Sequence, residues 1–329
     1  MPLGYNVESL GFDTSRSPVT ELAKEYFIWP LLAVLYLGLV ALYPQLWGLD
    51  VLIQIATSSI DLIILAIAIT FVLATGEIDI SIVGTMGVAP FAAATAIKDF
   101  GVPPLLSILV VLPAIAVVIG LGNAFMINKL EIDSLIATLG SYFFLIGVLF
   151  ALTNGATVTG FGSAYTFIGN NSVFGISLLL PTTLLVAMAA HFILTRTPFG
   201  QNLLLTGGDN DSSKRSGINT ARVRRNAFVL CAILSAIAGF LLSSQLAIIS
   251  STFGQGRLLP AIAAPILGGV LLTGGKASIH QAVGGALLLQ MVNTTLTIAG
   301  VSGYNVRLYT GVIVLAAIIL GSLRIIKEE

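Results

Sequence analysis

Reactive side chains are scarce in this sequence. Its 329 residues include one cysteine, Cys231, and two histidines, His191 and His280. A lone cysteine excludes an intramolecular disulfide and any cysteine cluster for zinc. Both histidines flank apolar runs, where an imidazole is an ordinary interfacial residue rather than a metal ligand. Charge is scarce as well: Asp, Glu, Lys and Arg make up 9% of the chain, with 15 of each sign. A formal net charge of zero leaves no basic face for nucleic acid. Nor is there a phosphate-binding loop. The run Leu272 to Ser278 contains Gly-Gly-Lys, but Val270 stands where the first glycine belongs, and Ala277 follows Lys276 where Ser or Thr must hold magnesium. No cofactor is expected, and any ATP that drives this protein must bind another chain.

What the sequence has in abundance is apolar length. Hydrophobic residues make up 56% of it and the mean hydropathy is +1.00, values that belong to a multispanning membrane protein. The expected fold class is all-α and polytopic, with about ten transmembrane helices and two Gly-rich discontinuous segments. Residues 1–28 are polar and mixed in charge and lack the marks of a secretory signal, so they read as a cytoplasmic lead-in. Residues 29–329 read as one transmembrane domain. Its spans are expected at Trp29–Trp47, Val51–Thr75, Ile80–Ile97 and Pro104–Ile127, then up to Leu152, Leu178–Leu194, Asn226–Ile249, Ile279–Ala299 and Asn305–Leu323, with a further, broken one between Gly254 and Gln290. Thr153 to Ser177 carries no charge and should lie outside, where an external partner can rest on it.

One hydrophilic stretch interrupts this pattern. Thr195 to Arg225 holds six of the fifteen Lys and Arg residues and two acids, too many charges for hydrocarbon, and its positive excess assigns it to the cytoplasm. Within this loop, residues 196–225, a short helix is expected over Asp209 to Ser216. Asp209 or Asn210 serves as N-cap after a Gly207-Gly208 turn, Asp211 sits in the first turn, Lys214 and Arg215 in the last, and Gly217 follows as C-cap. So short a helix is not stable alone and needs a partner surface. A plain solvated loop is the other reading.

Ionisable and polar residues inside the spans are candidate functional groups by default. Asp61 lies near the middle of the second run, as a site on a wet path or as a bonded structural carboxylate. Glu77 and Asp79 lie in the Gly-bounded break ATGEIDISIVGTMGVAP, Ala74 to Pro90, with Ser81 beside them, where the backbone should be irregular. Asn123 and Thr138 line a path or hold helices together. The second break, Gly254 to Gln290, carries Pro260, Pro265, Gly268, Gly269, Gly274 and Gly275, which interrupt or kink any continuous helix. Paired interruptions in two halves of a chain are the mark of transporters with a path between them.

Four stretches resemble the ATP-binding-cassette importer permeases of the ribose-type sugar family. GGDNDSSKRSGI is similar to that family's cytoplasmic coupling segment, with Asp211, Ser212 and Ser213 standing at its Glu-Ala-Ala and Gly217 at its glycine. The break around Asp79 resembles Gly-Gly-Ile-Asp-Leu-Ser-Val-Gly, with Glu77 in place of the second glycine. Gly120 to Leu130 followed by Ile136 to Gly140 resembles a Gly-x-x-Asn-Gly helix end and a Thr-Leu-Gly segment. Gly254 to Gln290 matches Gly-x-Gly, Ala-Ile-Ala-Ala, Leu-Gly-Gly and Gly-Gly-x-Gly-Ser in order, with Ala277 in place of a glycine and Pro265 inside the apolar run. The resemblance runs from about Ala56 to Leu323. It implies a permease subunit of an importer for a sugar or sugar-like solute, located in the bacterial inner membrane, and ten crossings would put both termini in the cytoplasm. It also implies cytoplasmic ATPase subunits contacting Gly207, Gly208, Asp209, Asp211, Ser212, Ser213, Ser216 and Gly217, an external solute-binding protein, and a second permease. The remaining readings are nucleoside or other small polar solute uptake, and a proton- or cation-coupled carrier using Asp61, Glu77 and Asp79. A membrane-embedded enzyme has no nucleophile-base pair or metal cluster to work with.

Overall fold

The computed structural model describes residues 26–328, with side chains up to 315. The lead-in expected at 1–28 lies almost wholly outside the described residues. The elements are helices with two short antiparallel strand pairs. In order they are α1 (Ile28–Leu42), α2 (Leu49–Ser58), α3 (Ile60–Leu73), α4 (Ile82–Lys98), α5 (Pro104–Lys129) and α6 (Ser134–Thr153). Then come β1 (Val158–Thr159), α7 (Phe167–Asn170), β2 (Ser172–Val173), β3 (Ile176–Ser177), α8 (Leu179–Arg196), α9 (Pro198–Gly208), α10 (Asn210–Arg215) and α11 (Thr220–Leu246). β4 (Ile248–Ile249), α12 (Leu258–Gly268), α13 (Ile279–Ile298) and α14 (Gly303–Glu328) complete the chain.

The centre is α3, in which every residue from Ile60 to Leu73 is buried. A helix apolar all round belongs in the middle of a bundle. Around it stand α11, α12 and α13, and α11 also packs on α4 and α5. With lipid outside, burial drives these contacts little, so close backbone approach must hold them. Gly239 of α11 sits against the Met86 carbonyl of α4 so tightly that any side chain would overlap it. That carbonyl is available because Pro90, four residues on, has no N–H to bond it. Leu121, Phe125, Phe143, Phe144 and Phe192 point outward from α5, α6 and α8, as lipid-facing residues should.

Several expected boundaries shift for local reasons. The first span stops at Leu42, not Trp47: Tyr43, which precedes Pro44, leaves the helical region at φ -131° and ψ 83°, and a 3₁₀ turn Pro44–Leu46 follows. The second is two helices bent by 47°. Thr57, Ser58 and Ser59 donate back to the carbonyls of Ile53, Gln54 and Ile55 at 2.7, 2.6 and 2.6 Å, the side-chain competition that bends helices. α5 contains a π-helical stretch, Ser107–Val111, just ahead of Pro113, and the Ser107 hydroxyl ties it to the Ala93 carbonyl at 2.7 Å. In the second break, Pro260 and Pro265 do not prevent a helix, since α12 runs through both. Pro260 falls in its first turn, where a missing N–H costs nothing.

The largest difference lies in the hydrophilic stretch, where the expected Gly207-Gly208 turn is instead the end of the 11-residue helix α9. Thr197 caps it by accepting from the Gly200 N–H at 3.2 Å, and Pro198 sits at its start. Leu203 and Thr206 are buried, so the stretch is not wholly immersed in water. Among the described residues, four helices, α5, α6, α8 and α11, are each long and apolar enough to cross a membrane, and the bent pair α2–α3 makes a fifth. α1 and α4 are apolar but shorter.

The connections sort to two ends. At one, Lys98 Nζ bonds the Thr159 carbonyl at 2.9 Å, β1 pairs with β4, and the Gly169 N–H bonds Ser244 Oγ at 2.9 Å. At the other, Asn128 Nδ2 bonds the Ala221 carbonyl at 3.0 Å and the Gly275 N–H bonds the Ala74 carbonyl at 3.1 Å. The Tyr26 and His280 rings stack there with centroids 4.7 Å apart. Lys129, Arg196, Lys214, Arg224 and Lys276 belong to this second end, Lys98 and Arg257 to the first.

Candidate functional site

The second end is organised around α10. Its cap is local chemistry: the Asp209 carboxylate accepts from the Asp211 and Ser212 N–H groups at 3.0 and 2.9 Å and from the Ser212 hydroxyl at 2.5 Å. The Ser212 contacts hold the Asp209 carboxyl below its ordinary value of 3.8. Lys214 lies 3.4 Å from Asp211 across one turn. At the far end Gly217, at φ 84°, and Ile218 return their N–H groups to the Lys214 and Ser213 carbonyls, a left-handed stop that favours glycine. Ser213 is buried, while Asp211, Ser212, Lys214, Arg215, Ser216 and Gly217 are exposed. The helix therefore presents a polar face with acid at its start and base at its end.

Behind α10 three stretches distant in sequence touch through backbone alone. Gly207 packs directly on the Ala74 carbonyl, and a Cβ there would also lie 2.7 Å from the Gly275 nitrogen. A Cβ on Gly274 would lie 2.7 Å from the Gly76 nitrogen and 3.0 Å from the Gly207 oxygen, and one on Gly275 would lie 2.8 Å from the Gly208 Cα. The end of α9 thus rests on both Gly-rich breaks, the loop 74–81 and the loop 269–278. Gly76, Gly274 and Gly275 also have φ of 78°, 84° and 78°, so two independent demands select glycine at these positions. Gly268 is different: it packs α12 against the Gln281 carbonyl of α13, while Gly269, at φ 108°, ends α12.

Loop 74–81 is irregular, as expected, and its polar groups are bonded one by one. Ser134 Oγ accepts from the Ile78 N–H at 3.3 Å and Thr138 Oγ1 from the Ile80 N–H at 3.1 Å. Asp79 Oδ1 accepts from the Ser81 N–H and hydroxyl at 2.8 and 2.6 Å. Ser81 Oγ in turn accepts from Asn123 Nδ2 at 2.7 Å, and Asn123 Oδ1 from the Ser141 hydroxyl at 2.5 Å. The Cys231 thiol also meets Asp79. Asp79, Ser81, Asn123 and Thr138 are all buried, forming a stitch between the loop, α5, α6 and α11.

Glu77 faces a cavity of about 410 Å³ lined by Asn128, Glu131, Asp133, Ser134, Lys214 and Arg224 among others. Its carboxylate lies 3.4 Å from Arg224 Nε of α11. Asp61 is remote from this cavity. Its oxygens meet Arg257 Nη2 at 3.1 Å and Nε at 2.6 Å, the second contact being an ion pair whose N–H is off axis. The Asp61 side chain is 4% exposed and that of Arg257 27%. Neither cationic partner was paired with its acid in the sequence, because both contacts span long separations. Nor was the meeting of the Gly207-Gly208 and Gly274-Gly275 doublets with Ala74 and Gly76 foreseen, although the glycines were the only local sign.

The geometry joins an exposed capped helix, two broken segments and a polar cavity. Residues 51–323 match the family described as branched-chain amino acid transport system / permease component. The chain is 32% identical to the ribose import permease protein RbsC of Bacillus subtilis (strain 168), over 83% of each chain. It is 32% identical to RbsC of Escherichia coli (strain K12), over 85% of this chain and 88% of that one. It is 29% identical to the autoinducer 2 import system permease protein LsrC of Klebsiella pneumoniae, over 89% and 85%. No solved structure matches. With nearly its whole described length matched, the chain belongs to the branched-chain amino acid transport system permease component family, a multi-pass membrane transport subunit and not an enzyme.

Proposed function

We propose that this chain is the permease of an ATP-driven importer for a sugar or sugar-like solute, as its relatives' names say of ribose and autoinducer 2. It would work with a cytoplasmic ATPase that receives α10, an external solute-binding protein, and a second permease copy or homologue. About ten crossings with both termini cytoplasmic put the Lys- and Arg-rich end inside, as the positive-inside rule requires. The observation that carries the reading is the glycine junction. A push on α10 reaches the end of α9, which rests without intervening side chains on both broken segments. Two breaks that move together can open and close a path, with ATP binding and hydrolysis shifting the population. In this scheme Glu77 faces the cytoplasmic mouth, while Asp61, Asp79, Ser81, Asn123, Thr138, Gly268, Gly269, Gly274 and Gly275 shape or gate the path.

The rival carrier reading would use Asp61, Glu77 and Asp79; in the fold Asp61 and Glu77 are ion-paired with Arg257 and Arg224, and Asp79 accepts from Ser81. The test is reconstitution in liposomes. Uptake should require the ATPase, the binding protein and hydrolysable ATP, and should persist when the proton gradient is collapsed at constant ATP. Accumulation by the chain alone on an imposed pH gradient, abolished by Asp61→Asn, would replace this reading with the carrier.

A further inference from the structure

A second cavity, of about 510 Å³, lies between the last turns of α5 and the start of α11. Leu121, Phe125 and Lys129 line it from α5 at intervals of four residues, so they form one vertical row on the helix. Leu121 and Phe125 are 43% and 57% exposed, and Lys129 stands at the edge where α5 ends. Across from them are Arg222 and Arg225 of α11. The two helices are joined by the Asn128 to Ala221 bond at 3.0 Å, both residues also lining the cleft.

The charges are uncompensated. α11 opens with Arg222, Arg224 and Arg225 and has no acid in its first turn. Cations at a helix N-terminus oppose the helix dipole, so this arrangement calls for an anion. Arg224 has Glu77. Arg222, Arg225 and Lys129 have no carboxylate within ion-pair distance among the described residues, and Arg225 reaches only the amide oxygen of Asn226 at 3.2 Å. The cleft therefore has cations at the membrane edge and an apolar wall running one to two turns inward.

We propose that this cleft binds an anionic phospholipid of the leaflet at the α10 end, its phosphate between Lys129, Arg222 and Arg225 and an acyl chain along Phe125 and Leu121. A free phosphate fits the cations but has no use for the apolar row. An acidic protein surface fits the cations but not the depth of the cleft.

The experiment uses the full-length permease purified alone in detergent, with native mass spectrometry to titrate phosphatidylglycerol against phosphatidylcholine. The wild type should hold one phosphatidylglycerol in preference to phosphatidylcholine. R222Q/R225Q should weaken that binding roughly 30-fold, two basic contacts near the membrane surface at about fivefold each. R196Q/K276Q removes the same charge from exposed positions at the same end and should leave binding intact. F125A should weaken phosphatidylglycerol binding without weakening a soluble glycerophosphoglycerol probe, and excess inorganic phosphate should not displace the lipid. Equal loss in R222Q/R225Q and R196Q/K276Q would reduce the effect to general surface charge and overturn the site. So would phosphatidylcholine binding as well as phosphatidylglycerol, or displacement by inorganic phosphate.

Discussion

A methyl group added at Gly207 tests whether the backbone junction transmits motion. In Gly207→Ala the new carbon would overlap the Ala74 carbonyl oxygen and stand 2.7 Å from the Gly275 nitrogen, where ordinary contact begins at 3.4 Å. Neither neighbour is a side chain that can rotate away, and the two are bonded to each other at 3.1 Å. One of three segments must retreat by roughly 1 Å, an overpacking cost of about 1–3 kcal/mol, with the upper end fitting a contact made only by backbone. A penalty near 3 kcal/mol falling on the packed state alone would shift a two-state equilibrium about a hundredfold. Two neighbouring glycines provide the controls. A Cβ at Gly208 finds its nearest atom at 3.9 Å, so Gly208→Ala should transport normally. Gly217 has open space but φ 84°, so Gly217→Ala should cost about 1–2 kcal/mol of backbone strain, confined to the end of α10. The assay is ATP-dependent uptake by the reconstituted importer, beside ATP hydrolysis with and without binding protein. Gly207→Ala should reach the membrane, assemble, and lose uptake and stimulated hydrolysis together. Normal uptake in Gly207→Ala, or equal loss at Gly208, would refute transmission through this contact.

Arg257→Ala strands the Asp61 carboxylate in a buried position, which should cost about 3 kcal/mol, the low end for a broken buried pair because Arg257 is partly exposed. A thermal melt in detergent should show it, and Arg257→Ala combined with Asp61→Asn should recover part of the loss; no change in the single variant would remove the ion pair from the account. Because Asp209 titrates below its ordinary value, its capping of α10 is fully present above pH 3.8 and fades as the pH falls through the lowered value. ATPase recovery in pull-downs should accordingly be flat from neutral down to mildly acidic pH, and should drop in Asp209→Ala at every pH; a titration centred near neutrality would point to another group. With Cys231 removed, single cysteines at Ser212 and Ser163, both exposed and at opposite ends, should label only from inside and only from outside. Labelling from the same side would overturn the topology.

What could be read from the sequence was what local chemistry decides. The cap of α10, its charged ends and the left-handed Gly217 depend on residues a few positions apart, and all were legible. Helices lie within a few residues of the expected apolar runs, although among the described residues only four, or five with the bent pair, are long and apolar enough to cross a membrane. The bend at Ser59 had a local cause, three consecutive hydroxyl residues, yet their choice to bond back to carbonyls depends on how the helix is buried. α9 carried its own signals, Thr197 before Pro198, but six positive charges in the same stretch spoke for water. The polar residues in the spans show the limit most clearly. Asp79, Ser81, Asn123 and Thr138 have the same composition whether they line a path or bond one another. Only the distances in the fold show which bonds are made: Asp79, Ser81 and Asn123 bond one another, and Thr138 accepts from the Ile80 N–H.

The glycine doublets pose the same problem at a larger scale. Each is explained locally as a helix end or a break, and local reasoning stops there. Their meeting adds a constraint that none carries alone. Gly207 has no positive φ and ends a regular helix, so alanine would suit its backbone better; only the Ala74 carbonyl and the Gly275 amide against it exclude a side chain. Contact between bare backbones has little slack, because it contains no rotamers to absorb a displacement. A junction of that kind moves as a unit or separates. An importer that must carry a push from a short polar helix to two interrupted segments gains from such stiffness, and Gly207 is where stiffness, rather than conformation, selects the residue.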